Sequence, residues 1–353
     1  MKRMKFIALT IAMLFLLSAC NSINVTEVAV VGDEAMLKPE FMYYLQMGKN
    51  EASQKAQEQG QLISEDADWN SVMIDGVTAA EHAKDAAVKS VKSIMTMEAL
   101  GKEAGYELTE KDIADLNTQR EQLIEGLGGR YAYEQTLTEM GIPASELDTI
   151  LERSIYANAY MTQYTEGNTS FDPTEEEIKE KYNGEYVYVR HILISNQEPT
   201  DELDGEEIAE PVDYDALAKA EAEEILEKLA QGANFVTLMN EYSDDGRDES
   251  GKLSSDGYIM TDNGQMVPEF EEAAMKLEIG AYTTELVETA YGYHILMRYD
   301  LPTQGDNYDS VISDIKTEMT ADKLNSWVDE RAEELGLIIN HKFIDNLKIK
   351  MEG

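Results

Sequence analysis

Two short runs constrain this chain more than any other feature. VRHILIS (189–195) and GYHILMR (292–298) each set a histidine ahead of the same Ile-Leu pair. Both are rich in β-branched and apolar residues and read as strands. Histidine is scarce elsewhere: the 353 residues hold four, His82, His191, His294 and His341. The placement of His191 and His294 at matching points of two apolar strands calls for an explanation.

Length and charge narrow the classes. A chain of 353 residues predicts two or three domains. An apolar share of 43% is enough to bury a core. Lys plus Arg number 29 against 70 Asp plus Glu, a formal net charge of -41. So negative a surface excludes nucleic acid as a partner, because phosphates demand neutralising cations.

The N-terminus is more specific. Lys2, Arg3 and Lys5 form a basic start, and 6–17 is an apolar run too short to span a bilayer as a mature helix. Leu17-Ser18-Ala19-Cys20 follows and resembles the lipobox of bacterial lipoproteins. That resemblance implies cleavage before Cys20, lipidation of its sulfur and attachment to the outer face of the cell membrane. The alternative is an ordinary secretory signal. Cys20 is the only cysteine, so no disulfide can form within the chain.

Periodicity organises the rest. A brief strand at 28–31 leads to a helix over 38–47 with Pro39 in its first turn. Residues 51–72 read as a polar loop or frayed helix. Helical patterns follow at 77–104, from Thr109 to Gly128-Gly129, at 144–164 and from 171. Thr109-Glu110-Lys111-Asp112 resembles a capping box with Asp in the place of Glu. From Glu185 the pattern becomes strand-like. Over about 115 residues it then runs β-α-α-β-α-β-β, with YTTELVET and GYHILMRY as the last two strands, an α+β unit. The helical period returns from Asp306.

The middle unit resembles the parvulin-type peptidyl-prolyl isomerases. Four blocks carry the resemblance, in order: VRHILIS, YSDD (242–245), GQMVPEFEEAAMKL (264–277) and ETAYGYHILM (288–297). The chain as a whole resembles the PrsA-type extracellular foldase lipoproteins of Gram-positive bacteria. The resemblance implies an α+β fold, a four-stranded sheet with surrounding helices inserted between N- and C-terminal helical segments. It implies four regions: a signal peptide at 1–19, a mainly helical chaperone-like region at 20–183, the isomerase domain at 184–300, and a C-terminal helical segment at 301–353 that packs with the N-terminal region.

The resemblance also assigns residues. His191 and His294 would lie side by side on neighbouring central strands, sharing one hydrogen bond. Asp245 would set an electronegative group near the twisting amide; its alternative is a solvated loop carboxylate. Thr289 would join the histidine network. Met266 and Phe270 would grip the proline ring, with Tyr291 beside them, although Met and Phe at i and i+4 also fill ordinary cores. A metal site would need a third ligand that no spacing supplies, and no cofactor is implied.

The implied function is a membrane-anchored isomerase and foldase acting on exported proteins with X-Pro bonds. The alternative is a non-catalytic chaperone whose parvulin domain serves only as a scaffold. The oligomeric state, a homodimer included, stays open. Three departures stand out. SGKLSSDGYIMTDNGQM sets Leu253 apart from Gly257-Tyr258, in a hairpin about two residues longer than usual. Met275 stands where Phe is common. The acidity contrasts with lysine-rich members, and the carboxylates from Glu198 to Asp213 have no Lys or Arg among them.

Overall fold

The structure is a computed structural model that describes residues 26–63, 68–139, 141–198, 212–246 and 257–349. The signal segment, Cys20, residues 199–211 of the carboxylate-rich stretch and Leu253 lie outside the described residues.

The chain begins with β1 (Glu27–Val31), β2 (Glu34–Leu37), α1 (Lys38–Glu58), β3 (Met73–Ile74), β4 (Val77–Thr78) and α2 (Ala79–Ala104). Then come α3 (Glu110–Gly126), α4 (Arg130–Glu139), α5 (Ala144–Thr165) and α6 (Glu175–Glu185). The middle unit is β5 (Val187–Ser195), α7 (Tyr214–Ala230), α8 (Phe235–Tyr242), β6 (Tyr258–Met260), α9 (Pro268–Lys276), β7 (Val287–Thr289) and β8 (Gly292–Tyr299). The chain closes with α10 (Asp306–Glu334), β9 (Ile338–Ile339) and α11 (His341–Asp345).

The expected α+β order of the middle unit is observed. Its sheet is antiparallel with the strand order β6-β5-β8-β7. Strand side chains alternate between faces, and residues directly opposite share a face. On one face Ile192, Ile194, Tyr293 and Ile295 pack on Ala222, Ile225, Phe235 and Leu238 of α7 and α8. On the other, Val187, Val189 and Leu296 pack on Phe270 and Ala274 of α9. Covering both faces explains why the two histidine-bearing runs are apolar at nearly every position.

Several expectations need correction. Helix α1 continues to Glu58, past the end at 47 that the sequence suggested, so that of the two readings for 51–72, loop or frayed helix, 51–58 take the helical one. The reason is tertiary: Ala52 and Ala56, one turn apart, are fully buried in the core with α2. Helix α4 was not foreseen; Tyr133 and Leu137 anchor it on Leu147 and Ile150 of α5. YTTELVET is not one strand. Tyr282 makes a single bridge to Met297, and only 287–289 form β7. Thr283 Oγ1 accepts from the Leu296 N–H at 3.1 Å, replacing a regular ladder bond there. The Thr109–Asp112 capping box is present, with Asp112 Oδ2 accepting from the Thr109 N–H at 2.8 Å.

The helical segments close around the middle unit. Strand β9 pairs with β1, joining the two ends of the described chain. Trp327 of α10 stacks on Tyr164 of α5 with centroids 4.6 Å apart. At the junction with the sheet, Tyr182 of α6 donates to the Pro302 carbonyl at 2.9 Å. Arg153 of α5 is buried between two other helices, 2.9 Å from Glu40 and 2.5 Å from Glu98. No helix among the described residues is long and apolar enough to cross a membrane.

The α1–α2 crossing is close because Gly48 has no side chain. A Cβ there would lie 2.3 Å from the Ala83 carbonyl oxygen. Gly48→Ala should therefore destabilise the protein by roughly 1–3 kcal/mol through overpacking, against the gain of about 1 kcal/mol that helix propensity alone would give. Urea unfolding measures the sign, and a stabilised variant would contradict this crossing.

Candidate active site

The register of β5 against β8 sets the site. His191 lies opposite Leu296 and His294 opposite Leu193, so the two histidines are diagonal neighbours on one face. Both are buried, at 8% and 5% exposure. Their rings meet edge to face with centroids 5.3 Å apart. The expected hydrogen bond between them is not made. His294 Nε2 lies 2.9 Å from Thr289 Oγ1, and its Nδ1 has no hydrogen-bond partner among the described residues. The rings are diagonal rather than directly opposite, and their planes are 80° apart.

Each partner arrives by a specific backbone path. Thr289 ends β7, beside β8, and its Oγ1 also accepts from the Tyr291 N–H at 3.1 Å. Asp245 follows α8 in a loop laced to β5. The Asp244 N–H donates to the Leu193 carbonyl at 2.7 Å, and the Leu193 N–H to Ser243 Oγ at 3.1 Å. The Ser195 N–H donates to Asp244 Oδ2 at 2.9 Å. These bonds leave Asp245 pointing at the histidines, with Oδ2 3.2 Å from His191 Nε2. That is an ion-pair approach without an aligned hydrogen bond.

Phe270, on α9, sets its ring edge to face against both histidines, at 5.0 Å and 5.4 Å. Met266 lies half-buried beside it, just ahead of α9. The structure thus gathers His191, His294, Asp245, Thr289, Phe270 and Met266 on one face of the sheet. It does not bring Tyr291 into the ring cluster: that residue is 56% exposed on the turn between β7 and β8.

Three residues escaped the sequence reading as functional groups. Ser243 is fully buried and holds the Asp245 loop through its hydroxyl. Glu271 is 4% exposed; its carboxylate accepts from the Met266 N–H at 3.0 Å and the Gly264 N–H at 3.2 Å, fixing the segment that carries Met266. Tyr258 was noticed only as part of an irregular hairpin, yet it touches both Asp245 and His191. Ser243 could have been found, since it belongs to the same YSDD block as Asp245. Nothing in the sequence separates Glu271 from its exposed neighbour Glu272.

The electrostatics separate the two ends of the cluster. Burial, with His191 adding, pushes His294 down to about 4, and Asp245 only partly offsets this. His294 is therefore neutral at neutral pH. Asp245 is held below the usual carboxylate range, first by the His191 contact and also by the Tyr258 hydroxyl, against burial. The face thus presents a carboxylate at one side, a neutral imidazole at the other and a phenyl ring between. No group of three or more His, Cys, Asp or Glu side chains that could hold a metal occurs among the described residues.

An antiparallel four-stranded sheet with paired histidines on its central strands, flanked by Asp and Thr and faced by Phe, defines a class. Residues 191–300 match the family model of the rotamase, or PPIC-type PPIase, domain. The middle unit is a parvulin-type isomerase domain. The chain is also similar to PrsA foldases. It is 31% identical over 186 residues to the foldase protein PrsA of Caldanaerobacter subterraneus subsp. tengcongensis, covering 50% of this chain and 51% of that protein. It is 29% identical over 227 residues to PrsA of Halalkalibacterium halodurans, covering 59% and 65%. The chain spans about half the length of the first of these curated relatives. The crystal structure of PrsA from Bacillus anthracis aligns over 71% of this chain and 99% of that one, at 22% identity with a TM-score of 0.28.

A titration of the His294 imidazole carbons by NMR should show a midpoint near the value of about 4. Because its folded value lies below the unfolded one, the unfolded state takes up more protons between about pH 6.5 and 4. His294 should thus withdraw up to about 3 kcal/mol of stability as pH falls through that window. A midpoint near 6.5 would mean that the ring is solvated.

Proposed function

We propose that the chain is a peptidyl-prolyl cis–trans isomerase and foldase, anchored to the outer face of the cell membrane through Cys20, that assists exported proteins as they fold. The observation that carries this reading is the convergence of His191, His294, Asp245, Thr289 and Phe270 on one sheet face, within residues that match the isomerase family. The similarity to PrsA foldases supports the wider role. The lipobox-like Leu17-Ser18-Ala19-Cys20 supports the anchor.

The reaction breaks no bond. A prolyl amide must lose its resonance to rotate, over a barrier of about 18–20 kcal/mol. The site needs to favour the twisted amide over both planar forms. Phe270 and Met266 would take the proline ring, and Tyr291 would border it from the turn. In this apolar setting the substrate carbonyl loses water hydrogen bonds that stabilise the planar form. Asp245 would set its negative charge beside the amide as the carbonyl turns. Thr289 and neutral His294 would form the floor, a dipolar surface without net charge. Uncatalysed isomerisation takes tens to hundreds of seconds, long enough to delay an exported chain.

Charge would select among substrates. Glu198 and Asp213 mark the ends of a carboxylate-rich segment that follows β5 in the sequence. Such a segment repels a phosphorylated residue before proline and favours a cationic one, more so at low salt.

Exchange NMR on Ala-Pro peptides with the full chain tests the reading. Asp245→Asn should lower kcat/KM on the order of a hundredfold with little change in melting temperature. An inactive wild type, or an unaffected variant, would overturn it in favour of a binding scaffold. The same assay at low ionic strength should rank Lys-Pro above phosphoserine-Pro peptides, with the gap closing as salt is added. Equal rates would remove the segment from substrate selection.

A further inference from the structure

Tyr258 touches both the carboxylate and the imidazole of the site. Tyr258 opens β6 and pairs with Val189 of β5, which turns it onto the His191 face. Its ring lies over that of His191, with centroids 5.5 Å apart and planes 26° apart. Its hydroxyl donates to Asp245 Oδ2 at 2.8 Å. The same oxygen is the one 3.2 Å from His191 Nε2. A single carboxylate oxygen is held between a phenol and an imidazole that are themselves stacked.

We propose that Tyr258 is a positioning residue of the isomerase site, whose hydroxyl fixes the Asp245 carboxylate against His191. The proposal rests on the isomerase reading above and deepens it. The backbone supplies an independent argument. Gly257 sits at φ +155°, and a Cβ there would lie 2.7 Å from the Tyr188 ring and 2.8 Å from the Val189 carbonyl oxygen. Only a residue without a side chain lets β6 close on β5 at this point. That approach is what brings Tyr258 over His191.

The chemistry follows from the donor type. A phenol donating to an ionised carboxylate makes a charge-assisted bond, stronger and more directional than a neutral one. Ring stacking alone would survive in phenylalanine; orientation of Asp245 would not. Among the described residues, the groups that act on Asp245 are His191 from β5, Tyr258 from β6 and His294 from β8. Of these, Tyr258 is the one whose contact is a well-formed hydrogen bond.

Tyr258→Phe in the full chain removes only the hydroxyl. Following the Asp245 carboxyl carbon by NMR against pH, the variant should titrate at higher pH than the wild type. Its kcat/KM on Ala-Pro peptides should fall roughly two- to tenfold. In an Asp245→Asn background the same change should cost little more, because Tyr258 acts through that carboxylate. Superimposable Asp245 titrations, or a fully additive loss in the double variant, would overturn the proposal. The titration needs no turnover, so an inactive wild type would count against the isomerase reading and leave this contact still decided by its own measurement.

Discussion

The antiparallel pairing of β5 with β8 is the constraint on which the site depends. Eight residue pairs, from Tyr188–Tyr299 to Ser195–Gly292, lock the register. A slip of one residue would turn every side chain of one strand to the opposite face. His191 would then face α7 and α8, and His294 would lose it as a neighbour. The register is protected because both faces are buried: Ile192, Ile194 and Ile295 pack against α7 and α8, and Val187, Val189 and Leu296 against α9. The isoleucines Ile192 and Ile295 are wholly buried, each contributing about 1.5–3 kcal/mol. Packing energy thus holds in place two polar rings whose own hydrogen bonding is incomplete.

That incompleteness separates the site from ordinary core. His294 has one nitrogen against Thr289 and one without a partner among the described residues, and the two imidazoles do not bond to each other. Buried polar atoms left unpaired cost free energy. Here both imidazole rings meet Phe270 edge to face, on the face where the proposed substrate would bind. The helical segments give this face a rigid mount. Tyr182 of α6 meets Pro302 and Tyr308, so the strands leave and re-enter the helical body at one junction.

Much of this could be read from the sequence, for identifiable reasons. β5 and β8 combine β-branched residues with high apolar density, and no helical pattern competes with them. The order of the middle unit followed from periods and stops. The extension of α1 past Met47 was hidden because its buried residues there, Gly48, Lys49, Ala52 and Ala56, carry little apolar periodic signal. The pairing of β1 with β9 joins Ala29 to Ile339, a contact that no local pattern could announce. Asp245, Phe270 and the two histidines were legible as residues in ordered blocks. What they do to one another was not. Whether two rings share a proton, or a tyrosine reaches a carboxylate, depends on strand register and ring planes, which the sequence does not display.

The proposed function requires above all that a prolyl peptide bind on the histidine face of the sheet. Intermolecular NOEs between a labelled full chain and an Ala-Pro peptide test it most directly. The account predicts contacts from the proline ring protons to the Phe270 ring and the Met266 methyl group, with shifts at His191 and His294. Proline contacts confined to the helical segments, with the β5 and β8 resonances unmoved, would contradict it.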